Sequence, residues 1–143
     1  MENYSGSFSV LVVEDNPGDV ELTREAFKQC FAEVHIQVAS SAMEALHLLR
    51  SNVNVLPDLI LLDLNLPGWG GKSLLKEIKS DGRLRKIPVI VLSNSSASDD
   101  VVESYSLNAN CYIVKPLDID IFFEKIKQIE AFWFHTALLP GTV

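Results

Sequence analysis

The chain has 143 residues, 48% hydrophobic and 22% charged, enough for one domain that buries roughly two-thirds of its unfolded surface without disulfide or metal staples. Nineteen acidic against twelve basic residues give a net charge of −7, which argues against nucleic acid or an anionic membrane surface as partner and leaves another protein or a cation. No apolar stretch approaches a membrane span, and the opening MENYSGSFS lacks the basic-then-apolar pattern of a secretory leader, so a cytoplasmic location is expected.

The first element is the apolar run SVLVV, a buried strand that ends at Glu14 and Asp15. Asn16, Pro17 and Gly18 turn the chain; Pro17 suits a first helical turn, and Val20, Ala26, Phe27 and Phe31 keep helical spacing. VHIQVAS alternates as a second strand ending near Ala39, and Ser40 or Ser41 can cap a helix carrying Met43, Leu46, Leu49 and Arg50. SNVNVLP is the loop out, and LILL is a third strand that runs into Asp63. The turn LNLPGWGG leads to a helix through Leu74, Leu75 and Ile78, and the polar SDGRLRKIP leads to the strand PVIVL before Ser93. A weaker helix starts at Ser98 with Val101, Val102, Tyr105 and Leu107; CYIV is a fifth strand before Lys115; a last helix runs from Asp118 to about His135. Strict alternation of five strands and five helices predicts an α/β fold, a doubly wound parallel sheet with right-handed crossovers.

In such a sheet Glu14, Asp15, Asp63, Ser93 and Lys115 all fall on one edge, outside the carboxyl ends of the strands, where ligands bind. Carboxylates crowded there are tolerable only if a divalent cation or a lysine neutralises them, and Mg²⁺ suits oxygen donors of this kind. Asp19 and Glu21 read most simply as a favourable pair at a helix N-terminus. Cys30 and Cys111 lack metal-ligand spacing and read as packed thiols. His35, His47 and His135 are scattered, with no acid or nucleophile placed to pair with them.

The segments VVEDNPGD, LLDLNLPGWGG, VIVLSNSS and YIVKP, in this order and each at a strand end, resemble the receiver domain of two-component response regulators. The resemblance implies a flavodoxin-like receiver over residues 8–130, with a C-terminal extension over 131–143. It implies Asp63 as phosphoacceptor, Glu14 and Asp15 as the acidic pair, and Mg²⁺ held by Asp15, Asp63 and the backbone carbonyl of Asn65, with Glu14 reaching it through water. It further implies Ser93 as the switch hydroxyl, Lys115 as the lysine that offsets phosphoryl charge, and Tyr112 as the aromatic switch. Such a protein takes a phosphoryl group from a sensor histidine kinase, catalyses only its own phosphorylation and dephosphorylation, and passes the signal to a downstream protein. LNLPGWGG, SNSS, NCYIVKPLD and IEAFWF together also resemble the small regulators that serve cyanobacterial-type phytochrome kinases, which implies a phytochrome as that kinase.

Two other classes, an enzyme or cofactor carrier and a binding module, compare with this reading. A haloacid-dehalogenase-like phosphatase needs a second acid two residues after its nucleophile, where this chain has Asn65; a flavin carrier needs a phosphate cradle where this chain has EDNPGD. A receiver-like binding module that takes no phosphate stays open as the alternative.

The tail carries a second signal. Ile119, Phe123, Ile126 and Ile129 or Glu130 supply a core face for the last helix, with Phe122 off to the side, yet Phe132, Trp133, Phe134, Leu138 and Leu139 follow. These cannot all face inward, so Phe122, Phe132, Trp133 and Phe134 are expected to form a homodimer contact; a flap folded back over its own domain is the alternative.

Overall fold

The computed structural model describes residues 6–51 and 55–140; most of the MENYSGSFS opening, the Asn52–Asn54 part of the loop SNVNVLP and the end of the tail lie outside the described residues. The elements are β1 (Ser7–Val13), α1 (Pro17–Lys28), β2 (Glu33–Ala39), α2 (Ala42–Ser51), β3 (Leu59–Leu62), α3 (Gly71–Ser80), β4 (Val89–Ser93), α4 (Ser98–Ser106), β5 (Cys111–Val114) and α5 (Ile119–Glu130), with a π-helical segment over Ala131–Thr136. The strands form one five-stranded sheet in the order β2-β1-β3-β4-β5, every neighbouring pair parallel. This is the flavodoxin-like strand order expected of the sequence. None of the described helices is long and apolar enough to cross a membrane.

Alternation along β1 divides the core. Leu11 and Val13 join Ile60, Leu62 and Val91 under α2 and α3, whereas Val10 and Val12 join Leu61, Ile90 and Leu92 under α1 and α5. Because helices cover both faces, every residue of β3 and β4 is buried, which is why these strands read as unbroken apolar runs. α4 is held differently: Ser104 is its one buried residue, and Val102 and Tyr105 are exposed.

The helix starts follow local chemistry. Asn16 caps α1 by accepting from the Asp19 N–H at 3.1 Å, with Pro17 in the first turn. Ser41, the second of the two expected serines, accepts from the Glu44 N–H at 3.1 Å, while the Glu44 carboxylate reaches back to the Ser40 N–H at 2.8 Å. Phe31, expected to continue the α1 spacing, lies past the end of that helix and is exposed.

The last helix departs from expectation in two ways. α5 stops at Glu130, and the chain continues as the π-helical segment, closed by a bond from the Ala137 N–H to the Phe132 carbonyl at 2.7 Å. The inward face is Phe122, Ile126, Ile129 and Glu130, with Ile119 57% exposed. Phe134 continues that stripe, stacking on Phe8 with centroids 4.3 Å apart and planes 10° from parallel, and Leu139 is buried beside it. The expectation that Phe122 and Phe134 contact a second copy is therefore corrected: both are used up inside the chain, as in the folded-back alternative. Trp133 is half-buried and meets Phe132 edge-on at 5.1 Å, leaving Phe132 51% exposed.

His135 also differs from expectation. Its ring meets the buried Glu130 carboxylate, which accepts from the Ala32 N–H at 3.3 Å and so ties the tail to the α1–β2 connection. Both thiols are half-buried, as expected. Burial, reinforced by the Glu130 charge and opposed by Lys127, pushes Cys30 up to about 11; burial likewise raises Cys111.

Candidate functional site

The strand ladders run one residue past the strands themselves. Glu14 N–H donates to the Ala39 carbonyl at 3.0 Å, Asp63 N–H to Val13 at 3.0 Å and Lys115 N–H to Ser93 at 2.7 Å. These bonds fix the polar residue after each apolar run at the same edge of the sheet. Glu14 and Asp63 are buried there and Asp15 is exposed, and one oxygen from each of the three lies within 4.8 Å of the others.

Lys115 reaches into this group. Its ammonium donates to Glu14 Oε1 at 2.5 Å, to Asp19 Oδ2 at 2.9 Å and to Asp63 Oδ2 at 3.4 Å. Asp19 was read from sequence as a helix-terminus acid; the structure adds it to the site. A trace was present in EDNPGD, whose acids crowd one short turn, but an acid in a first helical turn has an ordinary explanation of its own.

Charge and burial oppose each other here. Burial raises Glu14 toward its neutral form and the Asp63 charge pushes the same way, while Lys115 and the Asn16 N–H pull it back; the net direction is upward. For Lys115, burial disfavours the ammonium, but hydrogen bonds to Glu14 and Asp19 and the charges of Glu14 and Asp63 outweigh it and raise the group. Three carboxylates meet the one ammonium and Asp15 adds a fourth beside Glu14 and Asp63, so the site carries more acidic groups than basic ones. All of its donors are hard oxygens, a set that fits a divalent cation held by Glu14, Asp15 and Asp63.

The surrounding loops are shaped by the same edge. The Asn65 N–H donates to Asp63 Oδ1 at 3.1 Å, placing the Asn65 backbone beside the carboxylate. Gly68 and Gly70 have φ of 74° and 90°, which lets LNLPGWGG double back. At Gly71 a Cβ would stand 2.6 Å from the Asp63 carbonyl oxygen and 2.7 Å from Leu64 Cα, so α3 begins in direct contact with the Asp63 backbone. Ser93 is fully buried, and its hydroxyl oxygen accepts from the Ser95 N–H at 3.2 Å. The Tyr112 hydroxyl donates to the Ser95 carbonyl at 2.8 Å, and the Tyr112 N–H donates to the Tyr105 hydroxyl at 3.1 Å.

Residues 10–127 match the response regulator receiver domain. The chain is 37% identical over 136 residues to the response regulator Rcp1 of Synechocystis, covering 92% of each chain. It resembles the crystal structure of the phosphorylated cyanobacterial phytochrome response regulator RcpA, with a TM-score of 0.90 and 43% identity over 94% of this chain and 99% of that one. It also resembles the Mn²⁺-bound form of Rcp1, with a TM-score of 0.87 and 36% identity over 93% and 99%. Receiver domains bind a divalent metal and act as signalling partners of histidine kinases in two-component phosphorelays. With a match over most of its length and relatives this similar, the chain belongs to the response regulator receiver family.

Proposed function

We propose that Asp63 accepts a phosphoryl group from a sensor histidine kinase with Mg²⁺ as the metal, and that this switches the protein's contacts with other proteins. The observation that carries the reading is the cluster of Glu14, Asp15 and Asp63 oxygens within 4.8 Å, faced by Lys115 at 3.4 Å from Asp63.

The Asp63 carboxylate attacks phosphorus in line; a new O–P bond forms as the P–N bond to the donor histidine breaks, and the imidazole leaves with the electron pair. Mg²⁺, when bound by Asp15, Asp63 and the Asn65 carbonyl with Glu14 acting through water, supplies positive charge that offsets the transferring oxygens. Lys115 is already held by its shorter bonds to Glu14 and Asp19, so its ammonium stays in place as Asp63 becomes an acyl phosphate. The Ser93 hydroxyl and the Asn94 amide then donate to the new phosphoryl oxygens. Drawing Ser93 toward them disturbs Ser95, whose carbonyl holds Tyr112, and Tyr112 repacks the α4–β5–α5 surface. Beyond its own phosphorylation and dephosphorylation the chain catalyses nothing under this reading.

Near-full-length similarity to RcpA, a cyanobacterial phytochrome response regulator, supports a phytochrome as the kinase; a cytoplasmic place of work belongs to the same proposal. The receiver then occupies 8–130 and 131–143 is an extension. Phe132, with Trp133 beside it, edges a cavity of about 290 Å³ together with Cys111, Ile113 and Ile129, and this apolar face supports a homodimer contact reduced to Phe132 and Trp133. Changing both to alanine should give a monomer by light scattering, and a persisting dimer places the contact elsewhere.

The central test is intact-mass spectrometry after incubation with a small acyl phosphate, with and without Mg²⁺, on the wild type and Asp63→Asn. One added phosphoryl group, dependent on Mg²⁺ and absent from the variant, is expected. No addition from the acyl phosphate or from a histidine kinase, in folded protein, moves the reading to a phosphate-independent binding module.

A further inference from the structure

Ser95 is a hub. Its N–H holds Ser93 Oγ at 3.2 Å, its carbonyl holds the Tyr112 hydroxyl at 2.8 Å, and its own hydroxyl donates to Asp100 Oδ2 at 2.5 Å while accepting from the Ala97 N–H at 3.2 Å. The other oxygen of Asp100 accepts from Lys72 at 2.6 Å, and the same ammonium donates to Glu103 Oε1 at 2.7 Å. Lys72 is the second residue of α3, directly after the glycine that packs on the Asp63 backbone. A continuous path therefore runs from the phosphoacceptor through α3 and α4 to both switch residues, and Lys72 is the link that crosses between the helices.

We propose that Lys72 is a positioning residue that brakes phosphorylation: by clasping Asp100 and Glu103 it pins α4 and the Ser95 loop in the arrangement that keeps Ser93 Oγ on the Ser95 amide. The proposal rests on Asp63 being the phosphoacceptor. Moving the Ser93 hydroxyl toward a phosphoryl group on Asp63 pulls on Ser95, and through Asp100 on Lys72. Such a polar tether matters here because α4 has little else to hold it, with Ser104 its one buried residue. The pairing is mutual: hydrogen bonds from Lys72 and Ser95 lower Asp100, and those to Asp100 and Glu103 raise Lys72. The Lys72 and Asp100 side chains are 34% and 30% exposed, so salt reaches the clasp and weakens it.

The experiment follows the rate of phosphoryl incorporation from acetyl phosphate and Mg²⁺ by intact mass, in wild type, Lys72→Met, Lys72→Arg and Asp100→Asn. Lys72→Met should incorporate roughly two- to fivefold faster, the range that part-exposed ion pairs reach, and arrive at the same Asp63-dependent endpoint. Lys72→Arg keeps the charge and should stay near wild type. Asp100→Asn preserves shape and should accelerate like Lys72→Met, which guards against a variant that merely folds poorly. Added salt should narrow the gap between the wild type and Lys72→Met, because only the wild type has a clasp for it to weaken. Incorporation at wild-type rate or slower in both Lys72→Met and Asp100→Asn overturns the clasp alone. Absence of incorporation in the wild type as well overturns the phosphoacceptor reading and the clasp with it.

Discussion

The C-terminal edge of the sheet and the folded-back tail both bury acidic groups against a cation-capable partner, yet they are held by opposite means. At the edge, Glu14 and Asp63 are positioned by strand ladders and kept tolerable by Lys115, a residue 101 positions from Glu14 in sequence. In the tail, Glu130 is buried with the Ala32 N–H and His135 as its polar partners, in a segment packed down by the stack of Phe134 on Phe8. Removing charge balance should therefore damage the first region, and removing apolar area the second. A site built on unbalanced charge is open to control by a cation or a phosphoryl group; a region built on packing is a fixed platform.

The largest effects test that contrast directly. Lys115→Met leaves the buried carboxylates without their cation and should cost about 3 kcal/mol in metal-free urea unfolding, part of it recovered by millimolar Mg²⁺. A cost no greater than for an exposed lysine would show that water already neutralises the edge. Phe134→Ala should lose about 3 kcal/mol as well, but with no Mg²⁺ dependence, because what it loses is buried area and the stack on Phe8. A Mg²⁺-dependent loss there would tie the two regions together.

How these regions could be read from sequence differs for the same reason. Glu14, Asp15, Asp63, Ser93 and Lys115 were legible because each follows an apolar run, and a parallel sheet turns that pattern into one edge, even at β5, whose residues are only partly buried or exposed. Asp19 was not, since an acid in a first helical turn needs no further explanation. Nor was the register of α5: Ile119, Phe123 and Ile126 satisfy helical spacing as well as Phe122, Ile126 and Ile129 do. The choice is made by contacts distant in sequence, Phe134 on Phe8 and Glu130 on Ala32, which no local periodicity reports. The Lys72–Asp100 pair, 28 residues apart, was hidden in the same way.

A smaller loss is expected at Gly71, where the edge depends on packing after all. Its missing Cβ leaves room for the Asp63 carbonyl and Leu64 Cα, both backbone and unable to swing aside. Gly71→Ala should cost about 1–3 kcal/mol and slow phosphoryl incorporation, because the shift falls on the segment carrying Asp63. Unchanged stability with unchanged incorporation would mean that α3 can slide off the site freely. Phe132→Ala is the counterpart in the tail: the side chain is half exposed, so unfolding should move by less than about 0.5 kcal/mol, while the proposed homodimer contact should weaken in light scattering. A large stability loss would instead place Phe132 in the monomer's own core.

The smallest effect probes whether the packed tail carries any electrostatic signature. Cys30 sits near Glu130, and burial first, then the Glu130 charge, lifts its thiol from 9.0 to about 11. An acid whose folded pKa is raised contributes stability that is present below the unfolded value and lost as pH rises through the folded one. The unfolding midpoint should thus drift downward between pH 9.0 and about 11 beyond what Cys30→Ala shows over the same window. Alkylation of Cys30 should meanwhile be slow at pH 8 and keep accelerating to about 11, since the thiolate is the reactive form. Glu130→Gln removes the second cause and leaves the first, so it should advance the onset of alkylation only part of the way toward pH 9.0. A full return would assign the shift to the Glu130 charge, and the tail would then share the electrostatic logic of the sheet edge.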